Sequence, residues 1–111
     1  MKQDLEVKNQ VMQVLKVIKE LAPGRSVELR IPSYAAIQCV SGSTHRRGTP
    51  PNVIEMDAQT LLKISKGSQS WDQLCSEGAI NASGTNSNLA ELFSRVSKLI
   101  PNFDEELSNG K

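Results

Sequence analysis

The sequence predicts a single α+β domain in which helices cover one face of a four- to five-stranded sheet. Three observations carry that prediction. Amphipathic helical stripes open and close the chain, short segments of period-two alternation lie between them, and glycines and prolines mark the boundaries. At 111 residues and 12.1 kDa the chain has room for one domain, residues 1–111, built on one core.

Between Asp4 and Leu21 the apolar Val11, Val14, Leu15, Ile18 and Leu21 recur at steps of three and four, which predicts an amphipathic helix stopped by Pro23-Gly24. Val27, Leu29 and Ile31 then alternate with Glu28 and Arg30, the pattern of a strand with one buried face. Pro32-Ser33 turns the chain into a second strand, Tyr34 to Val40. Its less polar outer side, with Ala36 and Val40, predicts a central position in the sheet. Residues 41–52 (SGSTHRRGTPPN) lack any large apolar side chain and form a long loop.

A short strand, Val53 to Met56, follows. Asp57 then caps a helix from Ala58 to Lys66 that Gly67 closes. Ser70-Trp71-Asp72-Gln73 has the form of a capping box, in which hydroxyl and amide each satisfy a backbone donor, and opens a second short helix ended by Gly78. Ala79 to Ser83 reads as an edge strand. Asn88 with Glu91 repeats the capping pattern ahead of a regular stripe of Leu89, Leu92, Phe93, Val96, Leu99 and Ile100. Pro101 ends that helix, and residues 102–111 are read as a fraying polar tail.

Composition narrows the function classes. Thirteen basic residues against twelve acidic ones leave a net charge of +1, so no global field holds a nucleic-acid backbone, and the few aromatics are scattered rather than set as a base-stacking platform. No stretch approaches the ~20 apolar residues of a membrane span. The N-terminus lacks the apolar core of a signal peptide, so the expected compartment is the cytoplasm. Cys39 and Cys75 lie far apart beside a single histidine, which fits neither zinc nor thioredoxin spacing. Both are read as reduced core thiols, with no metal and no cofactor expected.

The long loop attracts three readings. His45 beside Arg46 and Arg47 would be a histidine kept neutral by repulsion, the state a general base needs, yet no nucleophile motif accompanies it. The same side chains with glycine-opened amides resemble a grip for a phosphate or carboxylate, although Gly42 and Gly48 have no nucleotide-loop spacing. A solvated, proline-stiffened loop is the plain alternative.

The apolar stripe at Leu89–Ile100 is ordinarily a core face. Together with Leu61, Leu62, Ile64, Trp71 and Leu74 on two further helices, it can instead enclose an aliphatic pocket against the sheet.

The run D-x-x-T-L-L-K-I-x-K-G-x-x-S-W-D-Q-L-x-x-E-G-A-I-N-A-S-G from Asp57, with the leucine-bearing helix after it, resembles the C-terminal half of the sterol carrier protein-2 domain. Arg30-Ile31-Pro32, Tyr34 to Cys39, and His45-Arg46-Arg47-Gly48-Thr49-Pro50-Pro51-Asn52-Val53-Ile54-Glu55 are similar to a smaller bacterial branch of that family. The resemblance implies a sheet with helices on one face, a tunnel for a fatty acyl chain, sterol or similar lipid, and no catalytic residue. It also places the polar Asn81 where a cavity-side apolar residue is expected.

The expected function is thus a non-catalytic lipid carrier. Its expected walls are Leu62, Trp71, Leu74, Leu89, Leu92, Phe93 and Val96, with His45, Arg46 and Arg47 meeting a headgroup or a protein partner. The alternative is a protein-interaction module of the same fold with a closed or vestigial cavity.

Overall fold

The computed structural model describes residues 2–42, 52–84 and 87–100, with side chains from Leu5 onward. In chain order the elements are helix α1 (Lys2–Leu21), strands β1 (Val27–Ile31), β2 (Ala35–Cys39) and β3 (Asn52–Met56), helices α2 (Ala58–Ser65) and α3 (Trp71–Ser76), strand β4 (Ile80–Ser83) and helix α4 (Ala90–Leu99). The predicted α+β class holds. The four strands form one mixed sheet in the order β2-β1-β3-β4, with β1 and β3 parallel and the outer pairs antiparallel.

Alternation decides which face is covered. Val27, Leu29 and Ile31 on β1, Ile54 and Met56 on β3 and Ile80 on β4 join the core, whereas Glu28, Arg30 and Glu55 point to the other face. The helices supply the opposite half of that core. Val11, Val14, Leu15 and Ile18 of α1 are buried at helical spacing, and α1 packs on α2, α4 and β2. Among the described residues no helix is long and apolar enough to cross a membrane.

Several sequence expectations change. β2 is an edge strand, not a central one, because the chain crosses over and pairs β3 with β1. Ala36, which suggested a second buried face, is exposed on the uncovered side. Asn52, read as loop, is the first residue of β3. Asn81 lies opposite Glu55 on the uncovered face, so it is not a cavity-side residue. Leu99 is 58% exposed and falls outside the buried part of the α4 stripe. The rest of the predicted loop, from residue 43 to 51, and residues 101–111 lie outside the described residues.

Capping is also only partly as expected. Asp57 Oδ1 accepts from Thr60 N at 2.8 Å and starts α2. Ser70 Oγ accepts from Gln73 N at 3.1 Å, but the Gln73 amide donates to Glu77 Oε2 instead of closing the box. Asn88 Oδ1 accepts from Ala90 N at 2.9 Å, one residue ahead of Glu91, and the N-cap of α4 is Leu89, which makes no side-chain cap bond.

One backbone crossing holds α1 to the sheet. Val40 N donates to Ala22 O at 2.7 Å and Val40 O accepts from Ser26 N at 2.9 Å, so the segment after α1 lies directly on the end of β2. Gly24 makes this approach feasible: at φ +151° a Cβ would stand 2.3 Å from the Val40 carbonyl carbon. Gly78, at φ +80°, has nothing within 4 Å of a Cβ position. Gly24→Ala is therefore expected to lower stability by roughly 2–4 kcal/mol, against about 1–2 kcal/mol for Gly78→Ala. Urea unfolding of the two variants measures the difference, and equal midpoints would contradict the close-approach argument.

Candidate functional site

The helical layer has a seam. α2 ends at Ser65 with Lys66 as its C-cap, Gly67 turns the chain at φ +77°, and residues 67–70 carry it to Ser70, the cap of α3. α4 passes across this turn, leaving an open groove of about 440 Å³. Its floor is apolar and buried, formed by Ile64, Trp71 and Phe93. The Trp71 and Phe93 rings stack with centroids 6.1 Å apart at 23°.

The rim is polar and uncharged. Ser68, Ser70, Gln73, Ser94 and Ser97 line it, and among the described residues no ionisable side chain is in the lining. The Ser97 hydroxyl donates to Ser94 O at 2.8 Å and the Ser68 hydroxyl to Lys63 O at 3.1 Å, so both oxygens remain acceptors. Ser70 Oγ already accepts from Gln73 N, and its proton remains to donate. The groove therefore offers a flat aromatic floor with neutral donors and acceptors around it.

A family model for the bacterial SCP ortholog matches residues 3–94. The chain belongs to that family. Among solved structures, the SCP-family chain is similar to Sterol Carrier Protein 2 Like 2 from Aedes aegypti, at 15% identity over 85% of this chain and 99% of that one, with a TM-score of 0.48. No curated protein matches the sequence. The sterol carrier protein-2 resemblance read from Asp57 onward and from the Tyr34 and Pro50-Pro51 segments thus agrees with the family match.

Of the residues predicted as walls, only Trp71 and Phe93 line the groove. Leu62, Leu74, Leu89, Leu92 and Val96 belong to the same hydrophobic cluster and are at most 8% exposed, closely packed against their neighbours. His45, Arg46 and Arg47 lie outside the described residues. Sequence reasoning missed the serines and glutamines of the rim, because residues on a helix margin and in a turn follow no apolar period. The Gly-Ser-Gln-Ser string between two caps was the available signal.

Both thiols are held protonated. Burial pushes Cys39, on β2, up to about 11, and Cys75, on α3, is raised by burial and then by the nearby Asp72 charge. An acid with a raised folded pKa contributes stability below its unfolded value and loses it as pH climbs, here for Cys39 between pH 9 and about 11. In a Cys75→Ala variant, Cys39 is expected to react with a disulfide reagent at pH 8 at least about a hundredfold more slowly in the native protein than in urea. Equal rates would contradict its burial.

Proposed function

We propose that this SCP-family chain is a non-catalytic, cytoplasmic lipid carrier whose groove between the α2–α3 turn and α4 takes an apolar ligand with an uncharged, hydrogen-bonding head. The observation that carries the reading is the lining itself. Ile64, Trp71 and Phe93 give an apolar floor, and hydroxyls and amides surround it with no ionisable side chain among the described residues. An anionic head placed there would leave water without gaining a counter-charge, whereas an alcohol, ester or amide meets a donor at Ser70 and acceptors at Ser68 and Ser97. The volume of about 440 Å³ lies within the range of small-molecule sites.

Leu62, Leu74, Leu89, Leu92 and Val96 are the proposed walls for the ligand's tail. Because they already pack together, a tail reaches them only when α3 and α4 part. At ~0.8 kcal/mol per methylene, roughly ten buried methylenes supply micromolar affinity before ordering costs. The close packing of these five side chains is also what favours the second reading, a protein-interaction module with a vestigial cavity.

Native mass spectrometry of gently purified protein is expected to show a co-purified neutral lipid. Trp71, the one tryptophan, is expected to change its fluorescence on titration with a sterol or monoacylglycerol, at a concentration at least tenfold below that needed for a fatty acid at pH 8. Replacing His45 by alanine is expected to leave uptake nearly intact, with His45, Arg46 and Arg47 proposed as headgroup or partner contacts and not as catalytic groups. A clean protein mass with no fluorescence response to any of these lipids would contradict the carrier and favour the module.

A further inference from the structure

The opposite end of the molecule carries a second concave site. Where α1 lies on β2, Met12, Leu15 and Ile37 form an apolar groove of about 350 Å³, with Lys16, Lys19 and Glu20 at its margin. Leu15 is buried there, but Met12 is 46% exposed, a large apolar side chain left beside two lysines.

β2 ends the sheet, and among the described residues no strand pairs with its outer side. Pro32 has no N–H and Ile31 O accepts from Tyr34 N in the turn, so Ile31↔Ala35 closes the hairpin as a hydrogen-bonded pair, and at the far end Val40 N turns away to Ala22 O. In the antiparallel register Leu29↔Ile37 and Val27↔Cys39 follow the Ile31↔Ala35 pair at two-residue steps, so alternation sends the N–H and C=O of Ala36 and Gln38 outward. Ile37, between them in sequence, contributes its side chain to the groove.

We propose that the outer edge of β2 binds an extended acidic peptide segment as a fifth strand, its alternate side chains placing an apolar group against Met12 and Ile37 and carboxylates beside Lys16 and Lys19. Main-chain pairing supplies the attraction, and the groove and the two lysines supply the selection. A lipid surface fits less well, because it cannot pair a row of backbone donors and acceptors. A second copy of the chain also fits less well. Each margin carries Lys16 and Lys19 against Glu20, so β2-to-β2 pairing would set two net positive margins against each other. This site lies apart from the α2–α3–α4 groove and does not depend on the carrier reading.

The test uses the full chain and two peptides, Thr-Glu-Thr-Val-Thr-Glu-Thr-Val and its counterpart with lysine for glutamate, followed by amide NMR and fluorescence anisotropy. The acidic peptide is expected to bind at least tenfold tighter than the basic one, and to slow hydrogen exchange at Ala36 and Gln38. Lys16→Glu with Lys19→Glu is expected to weaken it at least tenfold while the circular dichroism spectrum is unchanged. Gln38→Pro removes an outward N–H and is expected to weaken it equally. Should that variant not fold, the lysine pair and the exchange data decide.

Equal binding of both peptides, binding of neither at millimolar concentration, or protection confined to α3 and α4 would overturn the proposal. So would binding to phosphatidylglycerol vesicles that the lysine variant abolishes, in the absence of peptide binding. Loss of peptide binding with lipid uptake intact would leave the carrier reading standing, and the reverse would leave this one.

Discussion

The structure depends on the register between β1 and β3, the two parallel strands at the centre of the sheet. At their shared starting end the Asn52 amide donates to Ser26 O at 2.9 Å and to Ser26 Oγ at 3.2 Å, and both residues are at most 2% exposed. Ser26 Oγ lies so near Gly42 that a Cβ there would approach it to 2.8 Å. A slip of one residue would strand a buried amide and turn Val27, Leu29 and Ile31 to the solvent side. With the register fixed, one face of the sheet is apolar throughout, and the helices have a single surface to cover.

That one-sided arrangement explains where openings form. α1, α2 and α4 pack on one another and bury their stripes, and the described groove opens only where α2 gives way to the turn. α3 is short, and it bridges β4 and α4 after a turn built from Gly67, Ser68 and Gln69. Small and polar residues at that turn leave the space that Trp71 and Phe93 floor. At the other end, α1 stops short of covering the free edge of β2. The two grooves thus have a common origin in a helical layer that fits the central strands closely and the margins loosely. Their chemistry differs: one is ringed by neutral hydroxyls and amides, the other by lysines.

Much of this could be read from residues alone. The apolar stripe of α1, the alternation of Val27, Leu29 and Ile31, and the Asp57 cap with its Gly67 stop all report local physics, and the structure repeats them. What escaped depends on partners far along the chain. Whether β2 is central or marginal is decided by where β3 pairs, which Ala36 and Val40 do not encode. Asn52 was lost to the loop because its amide is satisfied by Ser26, a bond no local pattern announces. Gln73 and Glu91 fit capping boxes by type and spacing. Glu77, one turn on, offered Gln73 another acceptor, and Asn88 bonds Ala90. The leucines that signal a ligand wall lie within the packed hydrophobic cluster, while the groove rim is made of serines that no hydrophobic pattern selects.

The central claim is that a neutral lipid sits at the seam between the α2–α3 turn and α4. A photoreactive diazirine analogue of an uncharged lipid, cross-linked to the full chain and located by peptide mass spectrometry, tests it most directly. The account predicts adducts on peptides containing Trp71, Phe93, Ser94 and Ser97. Adducts confined to α1 and β2, or spread evenly over the surface, would contradict it.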